Sequence, residues 1–216
     1  MRLGWARIAA VVTVVGSMGA SGAVAWQLGS RPAERWIETL SRPERVKQLR
    51  IDDVIARLRL KPGDLLADIG AGSGAFTLPF ARAVAPGGKV YAVEVDQALV
   101  DHIADRARTE DVANVTSVLG EFTDPNLPTQ DIDLAFFHDV LHHIEDRSGY
   151  LKNLSRYIKS EGRIAVIERG HRRPDQREMH MSQEQVTGWM ADVGFRLAEE
   201  DYLFDGGKWF VVYSRH

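Results

Sequence analysis

The stretch from Leu65 to Thr77, LLADIGAGSGAFT, places an acid, Asp68, ahead of glycines at 70, 72 and 74. An apolar run that ends in a glycine turn and a helix start lets a ligand lie across backbone N–H groups at the carboxyl edge of a sheet. Glycine suits that turn because it permits both the tight bend and a close backbone approach. The spacing is G-x-G-x-G, whereas the dinucleotide fingerprint is G-x-G-x-x-G. That shift argues against a pyrophosphate and leaves a nicotinamide-dependent oxidoreductase only as a rival reading. Asp68 would sit at the strand end, positioned to receive an ammonium group directly or through water. Glu94 closes the next apolar run, where a carboxylate would accept hydrogen bonds from both hydroxyls of a ribose. Asp96 reads instead as the cap of the helix that follows.

A second group of chemistry-bearing residues ends the segment DIDLAFFHDVLHHI. His138, Asp139, His142 and His143 fall just past an apolar run, at the same carboxyl edge. An acceptor that loses a proton needs a base with a pKa near neutrality, which makes His138, Asp139 and His142 the catalytic candidates. A helix beginning at Asp139 would put His142 one turn on, facing the same way. The plainer reading of the paired histidines is packing or capping. A metal site from His138, Asp139, His142 and Glu168 is imaginable, but the spacing matches no recognised ligand signature, so no metal is expected. His171 and His180 lie in the basic stretch ERGHRRPDQREMHM, either a lid or an exposed loop. Met179, Met181, Trp189 and Met190 read as helix packing.

The elements that must position these residues alternate along the chain. Strand-like runs occur at Leu65 to Ile69, Lys89 to Val95, Val115 to Leu119, Ile132 to Phe137 and Arg163 to Ile167. Helical stretches occur at Ala75 to Val84, Ala98 to Arg108 and Leu141 to Ile158, the last broken near Asp146. Ahead of them, Pro43 onward reads as a basic amphipathic helix with Val46, Leu49, Val54, Ile55 and Leu58 on one face. Such alternation implies parallel pairing through right-handed crossovers, hence an open α/β sheet with helices on both faces. The rhythm then changes: a helix over Ser182 to Val193 precedes Phe195 to Phe204, the turn Asp205-Gly206-Gly207, and Lys208 to Ser214. Those last two runs form an antiparallel hairpin.

Asp68-x-Gly70-x-Gly72-x-Gly74, Glu94 closing the second strand, the segment DIDLAFFHDVLHHI and the terminal hairpin together resemble a class I S-adenosylmethionine-dependent methyltransferase. The resemblance runs from Pro43 to the C-terminus. It implies a doubly wound, mostly parallel, seven-stranded Rossmann-like sheet ending in an antiparallel β-hairpin. It also implies S-adenosyl-L-methionine as cofactor, its methionine end on the glycine loop and Asp68, and its ribose on Glu94. A residue after the third strand would meet the adenine; Glu121 or Asp124 fits that place, Glu121 being preferred, with Phe122 over the ring face. The implied activity is in-line methyl transfer to a small-molecule or lipid-like acceptor. The alternative is a membrane-tethered binding module that holds the cofactor without transferring its methyl group.

The chain of 216 residues, 44% apolar with a net charge of -3, suits one main globular domain and gives no sign of a nucleic-acid partner. It has no cysteine, which removes disulfides, thiolate metal sites and cysteine nucleophiles. Residues 1–30 read as an N-terminal membrane anchor or a signal peptide, residues 31–42 as a connector and residues 43–216 as the methyltransferase domain. Ile8 to Leu28 carries no charge and matches the roughly 20 residues that cross a bilayer. Ala23-Val24-Ala25 equally fits export after cleavage near Ala25. Arg31, Arg35, Arg42, Arg45 and Lys47 outnumber the charges before the run, which favours a cytoplasmic domain behind a membrane anchor. The cytoplasmic origin of S-adenosylmethionine agrees with that orientation.

Overall fold

The structure, a computed structural model, describes residues 32–170, 181–204 and 207–215. The expected anchor or signal segment 1–30, most of the basic stretch (171–180, with His171, Met179 and His180) and Asp205-Gly206 lie outside the described residues.

The short apolar runs foreseen in the sequence become strands β1 (Leu65–Ile69), β2 (Lys89–Glu94), β3 (Val115–Leu119), β4 (Ile132–His138) and β5 (Ile158–Arg169). They pair in parallel, and β6 (Phe195–Asp201) and β7 (Lys208–Arg215) complete one seven-stranded sheet in the order β3-β2-β1-β4-β5-β7-β6. β7 lies between β5 and β6 and is antiparallel to both. Chain order reverses between β1 and β4, and it is at this switch point that an open α/β sheet binds its ligand.

Alternation along the central strands supplies two apolar faces. Ala67, Ile69, Ala135, Phe137, Ile164 and Val166 join one cluster; Leu66, Leu134, Phe136, Ala165 and Ile167 join the other. The first is covered by α6 (Arg147–Ser155) and α7 (Gln183–Asp192), through Leu151, Leu154, Val186 and Met190. The second is covered by α3 (Ile51–Leu58) and α4 (Thr77–Ala83), through Val54, Leu58, Leu78 and Phe80. α5 (Gln97–Thr109) packs over β2 and β3 and is capped by the Asp96 carboxylate, which accepts the Ala98 N–H at 2.8 Å. Met181, Trp189 and Met190 take the packing role read from the sequence.

Four elements differ from the expectation. The connector 31–42 contains a helix, α1 (Ala33–Leu40). The helix expected without a break from Pro43 divides into α2 (Pro43–Gln48) and α3, because Arg50 turns through a left-handed φ of 52°. Its guanidinium donates to the Leu203 carbonyl at 2.6 Å, a tertiary contact that periodicity does not register. β5 starts earlier than expected, pairing Ile158 with Ile132 before a register shift. A Cβ on Gly162 would lie 2.8 Å from the Ile132 carbonyl oxygen, so the stretch ahead of Arg163 is an irregular strand held close to its neighbour. The run expected over Phe195 to Phe204 stops at Asp201, and Leu203 turns into the core with 3% exposure. The break near Asp146 is present: a 3-10 turn, Leu141–His143, precedes α6, whose cap is the Asp146 carboxylate.

Among the described residues no helix is long and apolar enough to cross a membrane.

Candidate active site at the carboxyl edge of the sheet

β1 delivers its chain into a loop where Gly70, Gly72 and Gly74 all take positive φ, at 66°, 60° and 75°. L-residues with a Cβ avoid that region, so the spacing read from the sequence is a backbone requirement. Crowding adds to it. A Cβ on Gly70 would lie 2.5 Å from Val140 Cγ2, and one on Gly72 would lie 2.9 Å from Leu40 Cδ1. The loop is therefore enclosed by the exit of β4 on one side and by α1 on the other. Leu40 was not singled out in the sequence, since nothing local marks it as reaching a loop so far along the chain.

Glu94 ends β2 beside this loop with 7% exposure. Its Oε1 accepts the Gly72 N–H at 2.6 Å and its Oε2 accepts the Val95 N–H at 3.1 Å. Burial raises its pKa, while the two N–H donors oppose that rise. Asp68, 4% exposed, accepts the Thr77 hydroxyl at 2.6 Å. Burial dominates there and pushes its carboxyl up to about 7. Past β3, Gly120 N–H donates to the Glu94 carbonyl at 2.9 Å, which sets Glu121 and Phe122 next to the end of β2. Glu121 is exposed and Phe122 half-buried. Asp124 is committed elsewhere, accepting the Tyr157 hydroxyl at 2.7 Å.

The exits of β4 and β5 bring the second group together. Asp139 leaves the strand in a left-handed conformation with φ 56°, its N–H bonded to the Ile167 carbonyl at 2.9 Å. Lys208, the first residue of β7, places Nζ 2.8 Å from His138 Nε2 and 2.6 Å from Asp139 Oδ2. Arg169 Nε stands 3.7 Å from the same Asp139 oxygen. Burial lowers His138 to about 3, with only Asp139 among its charged neighbours opposing, so its ring is uncharged at neutral pH. Burial works against charge on Asp139 too, yet Lys208 and Arg169 outweigh it and hold that carboxyl below its ordinary range.

His142, in the turn after β4, lies with Nδ1 2.9 Å from Glu168 Oε1. Glu168 has no exposed surface, and its Oε2 has no hydrogen-bond partner among the described residues. A carboxylate only accepts, so Nδ1–H is the donor and Nε2 is left as the basic ring atom. His143 packs against His142 with ring centroids 4.0 Å apart and the rings tilted by 43°. His138, Asp139 and His142 thus flank Val140, the residue that packs on Gly70. The sequence placed Glu168 only in an imagined metal site; its pairing with His142 depends on the β4–β5 register, as does the arrival of Lys208 on the β5–β7 register. Among the described residues no three His, Asp or Glu side chains are grouped as metal ligands.

Comparison with known proteins agrees with this geometry. Residues 67–166 match the family model described as a methyltransferase domain. The chain is 23% identical over 117 residues to a demethylmenaquinone methyltransferase of Geobacillus sp., covering 54% of this chain and 50% of that protein. It is 28% identical over 106 residues to a nocamycin O-methyltransferase of Saccharothrix syringae, covering 49% and 38%. The chain thus spans about half or less of the length of these curated relatives. Among solved structures, a SAM-dependent methyltransferase from Aquifex aeolicus superposes with a TM-score of 0.77 at 22% identity, over 86% of this chain and 100% of that one. The SAM-bound magnesium protoporphyrin IX methyltransferase of Synechocystis shares the fold with a TM-score of 0.63 at 19% identity, over 91% and 92%. The matched residues run from β1 and its glycine loop into β5, so residues 67–166 match a methyltransferase domain, and they lie on a seven-stranded sheet with the Rossmann-like fold of S-adenosylmethionine-dependent methyltransferases.

Proposed function

We propose that this chain methylates a hydroxyl group of a small molecule, with His142 taking the acceptor's proton. The observation that carries the reading is the joining of Glu94 to the Gly72 N–H at 2.6 Å, which unites the two halves of a nucleoside pocket before any ligand enters. The residues fit S-adenosylmethionine. Three positive-φ glycines leave a cradle that a Cβ would fill, and a carboxylate with about four lone-pair sites keeps capacity for two ribose hydroxyls beyond its two N–H bonds. Asp68 would meet the amino group, and Glu121 and Phe122 would meet the adenine.

When bound, S-adenosylmethionine supplies a methyl carbon attached to a positive sulfur, which keeps the electron pair of the breaking bond. The protein's share is alignment, exclusion of water and custody of one proton. A hydroxyl is too weak a nucleophile to react readily while it keeps its proton, so His142 Nε2 accepts that proton as the oxygen bonds to the methyl carbon. Glu168 holds the ring by Nδ1 and balances the charge gained, the role a buried carboxylate plays behind a catalytic imidazole. His138 and Asp139, bound to Lys208, shape the floor beside it.

The names of the relatives, one for demethylmenaquinone and one for O-methylation of nocamycin, support a small and in part lipid-like acceptor. The charge bias around Ile8 to Leu28 supports a tether that keeps the domain in the cytoplasm. Isothermal titration tests the cofactor reading: the full chain should bind S-adenosylhomocysteine, and Gly72→Asp should abolish that binding. Absent binding, or binding that Gly72→Asp leaves undiminished, refutes it.

A further inference from the structure

Lys208 has more hydrogen-bonding capacity than its protein neighbours use. Its Nζ lies 2.6 Å from Asp139 Oδ2 and 2.8 Å from His138 Nε2, and the centre of the Phe204 ring stands 5.8 Å from it. Burial lowers its pKa and Arg169 adds to that, but the ionised Asp139 carboxylate at hydrogen-bond distance, together with Glu168, opposes both and holds the ammonium form. An ammonium only donates, so His138 Nε2 is the acceptor and the imidazole proton sits on Nδ1. The basic nitrogen of His138 is thereby occupied, and proton transfer falls to His142. An ammonium has three N–H donors, and the two contacts use two of them. The third has no hydrogen-bond partner among the described residues; the buried Glu168 Oε2, itself unpartnered, does not take it. The Lys208 side chain nevertheless keeps part of its surface exposed.

We propose that Lys208 is a catalytic residue, donating its third N–H to the acceptor oxygen that His142 deprotonates, and that the acceptor hydroxyl belongs to a phenol or an enol of similar acidity. The proposal rests on the methyl-transfer reading with His142 as its base. His138 and Asp139, which hold the ammonium, stand immediately ahead of Val140, the residue packed on Gly70, so Lys208 borders the glycine loop. His142 follows two residues after Val140 and is tied to Glu168, whose register partner on β7, Trp209, adjoins Lys208. As the acceptor oxygen bonds to the methyl carbon, the electron pair of the breaking bond stays on sulfur. The hydroxyl proton passes to His142 Nε2, and the Lys208 N–H meets the negative charge left on oxygen. A charge-assisted hydrogen bond of this kind pulls the pKa of a bound hydroxyl down by about 1 to 2. A phenol starts from about 10 and comes within reach of a base working near neutrality, whereas an aliphatic hydroxyl, close to water at about 15.7, does not.

A spectrophotometric pH titration of 4-nitrophenol, whose phenolate is coloured, tests this on the full chain. S-adenosylhomocysteine saturates the cofactor site and brings no positive sulfur, so any change in the probe comes from the protein. The bound phenol should ionise about 1 to 2 pH units below the free one. Lys208→Met combined with Asp139→Asn, which removes the ammonium without stranding its carboxylate, should return the probe to its free value or above. Loss of Asp139 by itself favours the phenolate, so that return reports Lys208. His142→Ala should keep the lowering, because the ammonium and not the base produces it. The methyl label that the wild-type chain moves into a small-molecule extract should lie on the oxygen of an aryl or enol ether. No binding of 4-nitrophenol, a bound pKa equal to the free one, a lowering that survives in the double variant, or label on an alkyl ether, nitrogen or carbon overturns the proposal. A wild-type chain that fails to bind S-adenosylhomocysteine, or that transfers no label, overturns the methyltransferase reading beneath it instead.

Discussion

Glu168, with no exposed surface, lies 2.9 Å from His142 Nδ1, so a turn after β4 and the end of β5 hold one imidazole in one orientation. If that carboxylate orients the base, Glu168→Gln should lower kcat by about 100-fold or more on any hydroxyl acceptor the chain methylates. Affinity for S-adenosylmethionine and KM for the acceptor should stay nearly constant. His142→Ala should lose as much, and added imidazole should restore part of the rate. A Glu168→Gln variant with full kcat would remove the Glu168 charge from proton transfer, and a His142→Ala variant with full kcat would remove His142.

Gly72→Ala asks two things of the loop at once: a Cβ at φ 60°, and room beside Leu40 Cδ1 at 2.9 Å. The backbone alone should cost about 1–2 kcal/mol in urea denaturation. The same displacement breaks the N–H contact to Glu94, so titration should show cofactor affinity falling further than stability does. Pairing the change with Leu40→Ala should recover part of both losses. No recovery would mean that Leu40 does not confine the loop.

Lys208 holds Asp139 by a contact of 2.6 Å with side chains only 20% and 10% exposed. Removing the cation leaves a nearly buried carboxylate with only the more distant Arg169, so Lys208→Met should destabilise the fold by about 3 kcal/mol. The double variant Lys208→Met, Asp139→Asn should be clearly more stable than Lys208→Met alone. Additive losses in denaturant melts would show that the pair is not coupled.

Asp68 gives a pH signature of definite sign. Its carboxyl is raised from 3.8 to about 7 in the folded chain, so the folded state holds the proton more tightly than the unfolded state. The resulting stability is complete below the unfolded value and is lost as pH climbs through the window to about 7. Asp68→Asn keeps an acceptor for Thr77 and has no charge to bury. Its melting temperature should therefore gain on the wild type between about pH 4 and about pH 7, by an amount worth a few kcal/mol. His138 titrates oppositely but is common to both proteins and cancels in the difference. A gap between them that does not change with pH would show that Asp68 is ionised in the folded state.

What the sequence disclosed follows from the range of the forces involved. Strand alternation and the glycine spacing are local, and they located β1 to β4, the hairpin and the turn that needs positive φ. Glu94 was legible because a carboxylate at the end of β2 has a fixed relation to the β1 loop in a parallel sheet. Glu168 and Lys208 were not legible as partners of His142 and Asp139, since their meeting depends on registers between strands far apart in the chain. Leu40 was hidden for a similar reason: the fold of the segment before β1 is set by the surfaces it covers. The division of α2 from α3 at Arg50 likewise answers to the Leu203 carbonyl and not to any helix-breaking residue.

The central claim is methyl transfer, and one incubation tests it most directly. The full chain, given S-adenosylmethionine labelled in the methyl group and a small-molecule extract, should move label into an extractable product in step with the S-adenosylhomocysteine formed. Glu168→Gln should abolish most of that transfer while binding the cofactor as before. Cofactor bound by the wild-type chain with no label transferred and no S-adenosylhomocysteine released would contradict the account, and would make the domain a binding module.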